Sequence, residues 1–140
     1  MDHVAIMKKS WGMVDKILSG EKTIESRWYK AKYAPWDRIK RGDNVYFKDS
    51  GGPITVRAKV EKVLQFDHLN KNKFKHIIKN FANNICLRNC SYSQYKDKKY
   101  CILIFLRSPQ KLQKSFYIDK SGYGSSSAWI CVEDINRIKK

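Results

Sequence analysis

The sequence predicts an α+β fold, a small mixed β-barrel of about five to seven strands flanked by two or three helices. Three observations predict it. Ile54, Val56, Ala58 and Val60 alternate with Thr55, Arg57, Lys59 and Glu61, the period-two pattern of a half-buried antiparallel strand. Phe74, Ile77, Ile78 and Phe81 recur at helical spacing, with Lys71, Lys73, Lys75 and Lys79 on the other faces. Between and around these two stretches lie short apolar runs punctuated by Gly, Pro and Ser. The 140 residues, 42% hydrophobic and 13% aromatic, suit one domain over residues 1–140 with its own core.

Each element follows from its residues. Val4-Ala5-Ile6-Met7 reads as a first strand ending at Lys8 and Lys9, after which Ser10 is placed to cap a helix over Trp11–Ser19. Met13 and Ile17 make its apolar stripe, and Gly20 stops it. Lys22–Trp28 is expected as a second strand, with Lys22, Ile24 and Ser26 on one face and Thr23, Glu25 and Arg27 on the other. Residues 29–39 are irregular and aromatic, a candidate flap, because Pro35 restricts helix there. Gly42-Asp43 turns into Val45-Tyr46-Phe47, and Ser50-Gly51-Gly52-Pro53 joins that strand to Ile54 as a hairpin. After the Lys-rich helix, Asn83–Lys99 reads as a long polar loop, and Tyr100–Leu106 as a buried strand. Ser115–Ile118 and Ala128–Val132 are expected as two more strands joined by a Gly/Ser-rich loop, with a short basic helix from Glu133 or Asp134 to Lys139.

The charge balance narrows the partner. Against 13 Asp and Glu stand 29 Lys and Arg, a formal charge of +16, and such an excess repels itself unless a polyanion lies nearby. Nucleic acid is therefore expected, RNA favoured over DNA. A membrane partner is not expected, since the chain shows no broad apolar helix face beside its lysines and no lipidation motif. With no secretory h-region and no run of transmembrane length, the expected location is the cytoplasm and the expected state a monomer. Cys86, Cys90, Cys101 and Cys131 then read as buried free thiols. A zinc site built from Cys86, Cys90 and Cys101 or His76 lacks a close second pair of ligands, so neither metal nor cofactor is expected.

The run Gly20-Glu21-Lys22-Thr23-Ile24-Glu25-Ser26-Arg27-Trp28 carries the densest chemistry. Preceded by Ile17-Leu18-Ser19, and followed by Gly42-Asp43 and Val60-Glu61-Lys62-Val63 at the two ends of a hairpin, it resembles the signature Gly-x-Lys-x-x-Glu-x-Arg of the ASCH domain family in the PUA-like superfamily. The resemblance implies a PUA-like barrel with a cleft beside the signature strand, in a superfamily concerned with RNA and modified bases. Members include nucleic-acid-binding coactivator modules, a ribonuclease activity, and amidohydrolases that deacylate acetylcytidine.

The candidate binding residues are Lys8, Lys9, Trp11, Lys22, Thr23, Glu25, Arg27, Trp28, Trp36, Ser126 and Trp129. Lysines and Arg27 suit phosphates, Glu25 suits an exocyclic amine, Thr23 and Ser126 offer hydroxyls, and tryptophans suit stacking on a base. Trp28 and Trp36 border loops and are the better stacking candidates, whereas Trp129, between Ala128 and Ile130, reads at least partly as core. Lys22 and Glu25 are the only residues nominated for catalysis. The amidohydrolases carry Thr at the position of Glu25 and a further Glu beyond the long hairpin strand, whereas this chain has no Glu between Glu61 and Glu133. No Ser-His-Asp spacing is evident, and His3, His68 and His76 stand outside any motif. Binding of RNA, with one base in the cleft, is the leading expectation. Hydrolysis of RNA or of an acylated cytidine through Lys22 is the alternative, and a protein-interaction adaptor the third reading.

Overall fold

The computed structural model describes residues 1–124 and 127–140. Eight main elements follow one another: β1 (Asp2–Met7), α1 (Met13–Ser19), β2 (Ile24–Tyr29), β3 (Asn44–Asp49), β4 (Ile54–Phe66), α2 (Lys71–Ile85), β5 (Tyr100–Phe116) and β6 (Trp129–Val132). The strands form one curled sheet in the order β2-β5-β4-β3-β1-β6, a half-barrel with two helices against it. Every pairing is antiparallel except β1 with β3, where Val4 pairs with Tyr46 and Ala5 with Phe47. That parallel pair makes the sheet mixed.

Alternation along the strands sorts the core. Ala5, Val45, Phe47, Val56, Ala58, Ile102 and Ile104 meet inside the curl with Val14 and Ile17 of α1. On the other face, Ile24, Cys101 and Leu103 pack under Ile77 and Ile85 of α2. A third cluster joins Val4, Tyr46, Ile54 and Ile130 to Ile118, Ile135 and Ile138 of the C-terminal segment. Residues 101–104 of β5 are therefore covered on both faces, which is why they read as a continuous apolar run. Each fully buried Ile, Leu or Phe contributes roughly 1.5–3 kcal/mol.

Several expectations change at the element ends. The Lys9–Trp11 segment is a single 3₁₀ turn, and Gly12 in the left-handed region (φ 64°) breaks it from α1, so Ser10 does not cap that helix. The expected strand Lys22–Trp28 begins only at Ile24. Lys22 N–H bonds Lys16 O and Thr23 N–H bonds Asn84 O, so the backbone there is turned by the ends of the two helices. Lys22 consequently does not share a face with Ile24 and Ser26.

Ser115 and Phe116 are the end of β5, not a new strand, and Ile118 makes only an isolated bridge to Lys139. The basic terminal helix is a 3₁₀ turn over Ile135–Arg137, and the long loop after α2 starts at Cys86 and carries a 3₁₀ turn over Tyr92–Gln94. Residues 30–43 pack inward through Pro35, Trp36 and Ile39 instead of standing as a flap. Cys101 and Cys131 are buried free thiols as expected, but Cys86 and Cys90 are partly exposed. No helix among the described residues is long and apolar enough to cross a membrane.

Candidate functional site

The signature run forms a clasp. Glu25, Arg27 and Tyr29 alternate on the face of β2 that looks into the curl, and the Arg27 guanidinium donates to Glu25 Oε2 at 2.9 Å. Lys22, arriving from the turn before β2, brings its ammonium 3.3 Å from Glu25 Oε1 and donates to Ile85 O at the last turn of α2. Lys22 and Glu25 are only 3% and 4% exposed, so this is a buried triad of one acid between two bases. Burial alone would raise the Glu25 pKa, but the charges and hydrogen bonds of Arg27 and Lys22 outweigh it and hold the carboxyl below its ordinary range.

Arg27 reaches further. Its Nη1 donates to Ala128 O at 3.2 Å, and Nη2 lies 3.3 Å from Met7 Sδ and 3.5 Å from Ile6 O. Because β2 is one edge of the sheet and β6 the other, this one guanidinium ties both edges together where the curl closes. Its plane also sits over Trp129, 5.0 Å from the ring. Trp129 Nε1 in turn donates to His3 Nδ1 at 3.1 Å, and His3 Nε2 meets Asp43 Oδ2 at 2.9 Å. The indole N–H fixes the imidazole tautomer: Nδ1 accepts, so Nε2 carries the hydrogen given to Asp43. Burial lowers the His3 pKa against the raising effect of Asp43, which keeps the ring neutral.

Around this clasp lies a cleft of about 330 Å³. One wall is the end of β1 and the turn after it, with Ile6, Met7, Lys8, Trp11 and Met13; the opposite wall is Ile85, Leu87, Tyr95 and Lys98. Lys22, Glu25, Ser26, Arg27, Trp28 and Tyr29 make its floor. The floor charges are already paired with each other, so the walls open to a ligand are mainly apolar and aromatic. Trp11 is 60% exposed at the rim with the Lys8 ammonium 5.5 Å from its ring, while Trp28 is held by Phe74 and Tyr95 and by a 3.0 Å bond from Nε1 to Ser26 Oγ. Burial pushes the Tyr29 hydroxyl above its usual pKa, and it donates to Ala34 O at 2.9 Å.

A family model described as the ASCH domain matches residues 7–110, well over half of the chain. The chain belongs to the ASCH domain family. Among solved structures, the ASCH protein from Zymomonas mobilis is similar over 94% of this chain and 87% of its own, at 15% identity and a TM-score of 0.63. Two variants of that protein, one Tyr-to-Phe and one Ser-to-Ala, are similar at 14% and 15% identity with TM-scores of 0.65 and 0.63. They cover 97% of this chain and 93% and 91% of their own. Likeness at these identities shows the fold, a curled sheet with helices against it. No curated protein matches the chain in sequence.

Within this ASCH domain, six of the sequence-nominated residues meet at the cleft: Lys8, Trp11, Lys22, Glu25, Arg27 and Trp28. Four do not line it. Thr23 Oγ1 accepts from Asn84 at 3.1 Å and so helps seat α2. Lys9 borders a separate depression by Asp49–Pro53. Trp36 packs on the core and edge-on to Tyr100, 4.9 Å between ring centres. Trp129 is core, 3% exposed, and reaches the site only through Arg27. Ser126 lies outside the described residues. Ser26 and Tyr29 of β2 also line the cleft, as do Ile6, Met7, Met13, Ile85, Leu87, Tyr95 and Lys98, which come from segments outside the signature run and have no local motif. Sequence reasoning nominated none of these, and it also missed the buried partnership of His3, for which only the unusual presence of a histidine inside an apolar strand was a signal.

Proposed function

We propose that this ASCH domain binds single-stranded RNA and takes one unpaired base into the cleft between Trp11 and the C-terminal end of α2. The observation that carries this reading is the pairing of the clasp. With Lys22, Glu25 and Arg27 engaged with one another and with backbone carbonyls, the cleft offers a largely apolar slot of slight positive charge with an exposed Trp at its mouth. A flat, uncharged ring suits that slot, while its flanking phosphates stay at the rim with Lys8 and Lys98. The PUA-like fold, often associated with RNA binding, and the +16 formal charge support the same partner.

Hydrolysis through Lys22 fits less well. A lysine serves as base or nucleophile through a nitrogen free to reach the substrate, whereas here the Lys22 nitrogen is tied to the Glu25 carboxylate and the Ile85 carbonyl. Binding is tested by titrating a fluorescent oligoribonucleotide into the protein and its Trp11→Ala variant. Loss of a stacked base costs about 1–3 kcal/mol, so the variant should bind roughly five- to a hundredfold more weakly. Equal affinity of the two proteins contradicts the reading. Incubation with RNA and with acylated cytidine, followed by mass spectrometry, should return both unchanged.

A further inference from the structure

The clasp accounts for none of the lysines on α2, and their placement is costly. Lys71, Lys75 and Lys79 are exposed, have no acidic partner among the described residues, and repeat at four-residue spacing along one stripe of the helix. Like charges at that spacing repel. Lys71 also stands in the first turn of α2, where the helix dipole disfavours cations, and no residue of α2 is acidic to offset the stripe. Only Lys73, off this stripe, is engaged, reaching Asp67 O at 2.6 Å. From 67 to 99 the chain carries Lys71, Lys73, Lys75, Lys79, Arg88, Lys96, Lys98 and Lys99 against Asp67 and Asp97, so the cover over the sheet is strongly basic.

The stripe has a direction. It spans about 12 Å from Lys71 to Lys79, and Ile85 follows about 9 Å further along the axis. Ile85 is the residue whose carbonyl Lys22 holds, and it borders the cleft. We infer that α2 is the track for the RNA backbone: Lys71, Lys75 and Lys79 hold successive phosphates of the strand whose base enters the cleft. The ligand is thus an oligonucleotide several residues long, and a free nucleoside engages the cleft alone. This rests on the cleft reading above.

The test compares wild type, a Lys71→Gln/Lys75→Gln/Lys79→Gln variant, and a charge-matched control with Lys111→Gln, Lys114→Gln and Lys140→Gln away from α2. Affinity for an eight-nucleotide single-stranded RNA is measured against salt, and affinity for a nucleoside monophosphate in parallel. Three phosphates at about 0.7 each predict a salt slope shallower by about 2, and binding on the order of a hundredfold weaker at 0.1 M salt. The monophosphate should bind the α2 variant unchanged, and its thermal midpoint should stay or rise as repulsion is relieved. Equal losses in the α2 and control variants would show diffuse charge and overturn the track. So would oligonucleotide affinity that depends on Trp11 but not on α2. A wild-type protein that binds no RNA at all overturns the cleft reading itself, and the track with it.

Discussion

At the scale of single residues, the signature lysine is a structural tie as much as a site residue. Lys22→Met removes one arm of a buried pair and leaves Ile85 O without its donor, and breaking a buried pair from one side typically costs about 3–5 kcal/mol. Thermal unfolding should show that loss directly. Glu25→Gln should destabilise too, because it leaves two buried cations facing each other. Acid titration separates the two networks. Burial lowers the folded His3 pKa, so its contribution is complete above the unfolded histidine value of about 6.5 and is lost as pH falls from there through the folded value. The folded Glu25 pKa is also lowered, so its contribution is complete above the unfolded carboxylate value of about 4.3 and disappears below that. Stability against pH should therefore fall in two steps, the first absent in His3→Gln and the second reduced in Glu25→Gln.

At the scale of elements, the cleft depends on α2 being seated. Ile77 is fully buried between α2 and β5, and Ile77→Ala should cost about 2–5 kcal/mol while leaving the far side of the sheet intact. Hydrogen exchange should rise first in α2 and the loop after it. Much of this level was legible in the sequence. The hairpin of β3 and β4 and the helix α2 have periodicities that local residues alone determine, and Gly20, at φ 85°, ends α1 as a left-handed C-cap. β5 was only half legible. Beyond Leu106 most of its residues are polar, Pro109 gives no amide hydrogen, and Ser108 takes φ 52°, so the strand is held by β4 running beside it with shifted register and by Leu112 and Phe116 packing on the third cluster. The parallel pairing of β1 with β3 is likewise non-local and left no mark in either strand.

At the scale of the whole molecule, the site illustrates the same division. Glu25 and Arg27 were placed on one face by the alternation of β2, but Lys22 joins them only because the helix ends bend the chain before Ile24. The opposite wall of the cleft comes from Ile85, Leu87, Tyr95 and Lys98, far along the chain and brought over β2 by the apolar face of α2. What the sequence offered as a row of charges for a ligand is, in the fold, an internally paired clasp that joins α2, β1 and the segment before β6. The ligand-facing surface is what the clasp leaves: an apolar slot, an exposed Trp and a basic cover.

The most direct measurement of that claim is photo-crosslinking with a single-stranded RNA carrying one 4-thiouridine, with the attached residues mapped by mass spectrometry. The clasp-and-slot account predicts attachment at the cleft, on Trp11, Trp28 or Tyr95, and its loss when an excess of unlabelled RNA competes. Attachment confined to surfaces outside the cleft, with Trp11, Trp28 and Tyr95 unmodified, would contradict it.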